Sequence, residues 1–180
     1  YYKGIFTTLS SCASRQLEEV TFRRATISVP ELMATAGKYF RKVYKGNKAH
    51  IDFKIQPLEG RITGDWNQLR FLLENLIDEA CSVTLDGAVC LSAREDGEFM
   101  RFLFTDMRRE KTREELNQLF YPDLSRMTAG EKGELYGTEY LVCKQIIRDH
   151  DEFAGRRGCR INAEPGKEGG FTIYFTLPKK

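Results

Sequence analysis

The spacing of apolar residues changes several times along the chain, and each change marks an element. Ile5, Leu9, Cys12 and Val20 recur at near-helical spacing among Ser, Arg and Glu, which predicts an amphipathic helix from Tyr2 to about Val20. Such a helix either packs on its own domain or forms the tail of an upstream dimerisation helix, so residues 1–22 are set apart from 23–180. Ala25 to Val29 alternates like a short strand, and Pro30, tolerated in a first helical turn, opens a helix to about Val43 that Lys45-Gly46-Asn47 stops. His50 to Ile55 alternates with period two, and Arg61-Ile62-Thr63 reads as a strand after the Gly60 turn. Asp65 with Gln68 makes a capping-box-like start to the clearest helix, where Leu69, Leu72, Leu73, Leu76, Ile77 and Ala80 form one buried stripe.

Val89 to Ala93 and Phe99 to Phe104 read as a hairpin turning at Glu95-Asp96-Gly97, with Asp106 ending its second strand. Thr112 and Glu115 cap a short helix to Phe120. Tyr121 to Tyr136, with Pro122, Gly130 and Gly133, reads as a long loop, a length usually reserved for functional or mobile segments. A helix from Thr138 to Asp149 follows, then strands near Cys159 to Ala163 and Phe171 to Leu177 around a Gly-rich turn at Gly166 to Gly170. This order predicts an α+β two-layer sandwich, a mixed, mostly antiparallel sheet with helices on one face.

Composition narrows the partners. With 28 basic and 26 acidic residues the formal charge is +2, too small for the broad positive field that nucleic acids or anionic membranes attract, and no nucleic-acid partner is expected. The cluster Arg41, Lys42, Lys45, Lys48 reads as a solvated helix end. Five scattered cysteines (Cys12, Cys81, Cys90, Cys143, Cys159) without zinc-knuckle or redox spacing read as reduced, buried thiols. No stretch approaches the roughly 18 apolar residues of a spanning helix, and no secretion signal is visible, so a cytoplasmic module is expected. A start at Tyr1-Tyr2 without methionine points to a piece of a longer parent, in whose remainder any membrane or sensor parts are expected.

Three places outline a pocket for a nucleotide: Asn75 and Glu79, four apart on one helix face; Asp106 at a strand end; and Gly137-Thr138, where a helix N-terminus would attract an anion. Singly, each reads as a solvated face, a turn cap and a bend.

The order of motifs resembles the ATP-binding domain of sensor histidine kinases, in the superfamily shared with DNA gyrase, the heat-shock chaperone ATPase and the mismatch-repair ATPase. Asp65 to Ala80 is similar to the family helix D-x-x-R-L-x-x-V-L-x-N-L-x-x-N-A. Phe102 to Asp106, Glu115-Leu116, Leu119-Phe120 and Pro122 resemble the segment before the ATP lid. Gly137 to Ile147 resembles the second glycine box and its helix, and Phe171 to Pro178 the closing strand. The resemblance implies the Bergerat-type fold, bound ATP and Mg2+, transfer of the γ-phosphoryl group to an upstream histidine, a homodimeric parent and a response-regulator partner. Position by position it makes Asn75 a catalytic candidate, Glu79 the candidate magnesium ligand, and Asn75, Asp106, Gly137 and Thr138 the nucleotide contacts.

The chain departs from that pattern at several positions. Glu79 stands for the metal-ligating asparagine, Arg108 and Glu110 for the glycines of D-x-G-x-G, Leu135 and Glu139 for the outer glycines of G-x-G-L-G, and Phe171 for the threonine of G-T-x-F. A carboxylate suits magnesium, but without the metal it faces phosphate, and unit charges about 4 Å apart repel by roughly 4 kcal/mol at an effective dielectric near 20. Side chains in place of glycine also block close backbone approach to phosphate. The expectation is a degenerate, pseudokinase-like domain with weak or no ATP binding that acts by docking; the alternative is an active kinase domain with unusual ligands. Arg108 and Arg109 read either as substitute phosphate ligands or as a solvated basic turn.

Overall fold

A computed structural model describes residues 22–122, 128–129, 135–136 and 138–180. The predicted helix from Tyr2 to Val20, Cys12 and Gly137 lie outside these residues, as does most of the Tyr121 to Tyr136 segment.

The element order is β1 (Ala25–Ser28), α1 (Val29–Tyr44), β2 (Ile51–Gln56), β3 (Arg61–Gly64), α2 (Trp66–Cys81), β4 (Gly87–Asp96), β5 (Phe99–Asp106), α3 (Arg113–Gln118), β6 (Thr128–Ala129), β7 (Leu135–Tyr136), α4 (Glu139–Phe153), β8 (Ile161–Pro165) and β9 (Phe171–Pro178). Five strands form one sheet in the order β2-β4-β5-β9-β8, with only β2 and β4 parallel. β1 and β3 form a separate antiparallel pair. The expected α+β sandwich with a mostly antiparallel sheet is the observed architecture.

Period-two alternation turns Val89 and Leu91 of β4, Met100, Phe102 and Phe104 of β5, and Phe171, Ile173, Phe175 and Leu177 of β9 into the core. Phe102 and Phe175, partners in register, stack with centroids 5.0 Å apart. The leucine stripe of α2 is entirely buried, and α2 packs between α1 and α4. Fully burying such a side chain stabilises the fold by about 1.5–3 kcal/mol, so this face fixes where the polar face of α2 must point.

The ends of the elements follow local chemistry. Ser28 ends β1 one residue earlier than the alternation suggests, because its hydroxyl accepts from Glu31 N–H and caps α1. Thr112 and Glu115 form the expected capping box. At α2 only half of the anticipated box forms. Asp65 accepts from Gln68 N–H, while its own N–H donates to His150 Nε2 at 3.0 Å instead of to Gln68. The segment read as an unbroken loop contains a short pairing, Thr128–Ala129 against Leu135–Tyr136. Cys81, Cys90, Cys143 and Cys159 are free thiols, of which Cys143 and Cys159 are buried and the other two partly exposed.

Candidate functional site

Asp106 ends β5 opposite Val89 of β4 and Phe171 of β9, so the sheet carries its carboxylate to the edge of the polar face of α2. It is 1% exposed. Its Oδ1 accepts from the backbone N–H of Arg108 at 3.0 Å and from Arg108 Nε at 2.9 Å. Its Oδ2 accepts from Arg108 Nη2 at 2.8 Å and Arg109 Nε at 2.9 Å. A carboxylate offers about four lone-pair sites, and all four are used. Burial by itself would raise the Asp106 pKa, but the Arg108 hydrogen bonds and the Arg109 charge outweigh it and hold the carboxyl below the usual range.

Arg108 is equally satisfied. Besides Asp106, Nη1 donates to the carbonyls of Val83 and Leu85 and Nη2 to that of Ala80, at 2.6–3.0 Å. All five guanidinium donors are thus engaged and the side chain has no solvent exposure. The three carbonyls lie at and just beyond the C-terminal end of α2, where orphan C=O groups and the helix dipole favour a cation. Arg108 therefore closes α2 from across the sheet.

Arg109 reaches the other way. Its Nη1 and Nη2 form a bidentate pair with Glu79, both at 2.8 Å, and its guanidinium lies 5.2 Å from the centroid of the Phe171 ring. Burial works against its charge, yet the Glu79 hydrogen bonds and charge raise its pKa. Lys111 stands over the same ring at 5.1 Å. Two arginines and two carboxylates make a neutral quartet. The reading of Arg108 and Arg109 as a solvated basic turn is corrected: both are drawn inward by acceptors that sequence-local reasoning does not show.

The other site residues lie to one side of the quartet. Asn75 is buried and donates from Nδ2 to the Phe71 carbonyl one turn back at 2.7 Å. It lines an open cavity of about 820 Å³ with Phe71, Asp78, Ser82, Thr138 and Glu139, and Lys48 stands at the same cavity. Thr138 is the buried N-cap of α4 but makes no side-chain cap bond. Asp78 accepts from the Tyr39 hydroxyl at 2.7 Å; burial raises its pKa against that hydrogen bond. Asn75 and Thr138 thus share a cavity, whereas Glu79 and Asp106 are joined through arginines and do not line it. Glu110, at a family glycine position, accepts from Gly170 N–H at 2.8 Å.

No family model matches the sequence, and no curated protein matches it. Solved structures do. The catalytic domain of histidine kinase ThkA, in a nucleotide-free form, superposes with a TM-score of 0.66 at 19% identity, over 87% of this chain and 96% of that one. Acinetobacter baumannii histidine kinase AdeS gives 0.65 at 12% identity, over 97% and 78%. The ATP-binding domain of PrrB from Mycobacterium tuberculosis gives 0.63 at 17%, over 87% and 98%. The chain has the fold of histidine kinase catalytic domains. Within that fold, the sequence reading did not anticipate the inward course of Arg108, the role of Gly87 beneath it, or the burial of Tyr140, whose pKa burial and then the Glu79 charge raise. Gly87 was the available signal, a glycine at a strand start where a long side chain from elsewhere crosses the backbone.

Proposed function

We propose that this chain is the ATP-binding-type domain of a histidine-kinase-like two-component signalling protein, that its own arginines replace the nucleotide base, and that it acts by docking within a dimeric parent. The observation carrying this reading is the saturated Asp106 carboxylate, which has no lone pair left for an adenine amino group. Nor do the residues suit magnesium, because both oxygens of Glu79 are held by Arg109. Separating a buried ion pair costs about 3–5 kcal/mol, a penalty of roughly a hundred- to several-thousandfold in affinity. The quartet also adds no net positive charge to draw a triphosphate in.

The competing reading, an active kinase domain with Glu79 on Mg2+, Asp106 on adenine and Asn75 by the γ-phosphate, needs Arg109 to leave both carboxylates. It draws on the cavity beside Asn75 and Thr138. Calorimetric titration with ATP and Mg2+ separates the two: no magnesium-dependent heat is expected, and micromolar magnesium-dependent binding overturns the docking reading. Incubation of the full-length parent with labelled ATP extends the test, with no phosphohistidine expected on the upstream dimerisation helices and none passed to a response regulator.

A further inference from the structure

We propose that the outward face of α1 is a docking surface for an acidic protein segment, one that presents a row of carboxylates along a single face. Lys38, Arg41, Lys42 and Lys45 are all exposed and lie at i, i+3, i+4 and i+7, so they form one stripe, and exposed Lys48 continues it past the helix end. No acidic residue occurs between Glu31 and Asp52. Among the described residues none of the five cations makes an ion pair, although Arg70, Arg101, Arg108, Arg109, Arg156 and Arg157 all do. Like charges at i, i+3 and i+4 repel one another, so the stripe costs the isolated domain stability that an opposing row of carboxylates returns.

The extent of the stripe selects the partner. The whole chain is only +2, so everything outside these five cations sums to −3. A long polyanion such as a nucleic acid extends beyond the stripe into that negative remainder. A membrane surface is disfavoured for a second reason: the exposed large apolar side chains among the described residues, Phe71, Leu85, Met107 and Tyr121, all lie off α1, leaving the stripe without an anchor to insert. A short carboxylate row fits, its charge complementarity setting register and association rate.

The test uses the full chain and a fluorescent helical peptide carrying glutamates at i, i+3, i+4 and i+7, with a second peptide of equal charge whose glutamates are spread around the helix. Fluorescence anisotropy at low salt is expected to show salt-sensitive binding of the first peptide, several-fold tighter than the second. The triple variant R41E/K42E/K45E is expected to lose at least tenfold, with its circular-dichroism melt preserved, while R94E/K167E, which reverses exposed cations elsewhere, binds like the parent. Equal binding of both peptides, or no loss in the triple variant, overturns the proposal. So does tighter stripe-dependent binding of a short DNA duplex or of phosphatidylserine vesicles, which reassigns the stripe to those partners.

Discussion

A β-carbon built on Gly87 would lie 2.7 Å from Cγ of Arg108. The glycine at the start of β4 and the arginine after β5 are therefore a matched pair: the aliphatic stem crosses the strand where no side chain stands, and the guanidinium reaches the end of α2. Gly87 also has φ of +139°, a conformation L side chains rarely adopt. Replacing Gly87 with alanine should cost about 1–3 kcal/mol from backbone strain alone, plus the displacement of Arg108. Urea unfolding should show a loss clearly greater than that of an alanine placed at Gly46, which has no positive φ and whose built β-carbon meets nothing closer than 3.9 Å.

The Arg109–Glu79 pair should be measurable as a coupling. Both side chains are mostly buried and the contact is bidentate, so a double-mutant cycle with Arg109→Met and Glu79→Gln should give about 1–3 kcal/mol. Additive single effects would mean that the contact does not form in solution. The same variants carry a functional expectation: Arg109→Met frees one lone pair of Asp106 and both oxygens of Glu79, the two obstacles to nucleotide and magnesium, so calorimetry should show magnesium-dependent ATP binding in this variant that the unaltered chain lacks.

Stability should fall in mild acid because of His150. The ring is fully buried; Nε2 accepts from Asp65 N–H, and Nδ1, 2.8 Å from the Ile146 carbonyl, carries the proton. Burial first, against the Ile146 hydrogen bond and the Asp65 charge, lowers its pKa to about 4 from an ordinary 6.5. Between these values the unfolded chain binds the extra proton and the folded chain does not. The stabilisation is therefore complete above about pH 6.5 and drains away as pH falls toward 4, by on the order of 3 kcal/mol. Unfolding free energies from pH 7.5 to 4 should show this slope, and His150→Phe should flatten it.

Thr112→Ala should remove the N-cap of α3 at a cost of about 1 kcal/mol. Because α3 is only six residues long, amide exchange across Arg113–Gln118 should accelerate while the amides of α2 stay protected. Equal acceleration in both helices would mean that the cap serves the whole domain.

Much of the framework was legible because it is set locally. The period of Leu69 to Ala80 places a buried stripe wherever the helix packs, the Thr112/Glu115 spacing closes on itself, and the turn at Glu95 to Gly97 joins two alternating strands. The site was legible only in outline. Asn75 and Thr138 meet at one cavity as their placement suggested, but the fate of Arg108 depends on the carbonyls of Ala80, Val83 and Leu85, 23 to 28 positions away in sequence. A long guanidinium side chain has no periodicity to betray its target. The missing half of the α2 box is similar, since the acceptor that replaced Gln68 comes from His150, 85 residues on from Asp65.

Asp65 holds three parts of the molecule at once: Arg23 N–H at 2.8 Å, the first turn of α2 through Gln68, and the last turn of α4 through His150. Phe22 wedges its ring against His150 and Phe153 beside it. A torque delivered through the backbone at residue 22 is consequently not absorbed by a slack tether; it passes through one residue, by its carboxylate into α2 and by its backbone N–H into α4, so that these two helices swing with it as a single lever.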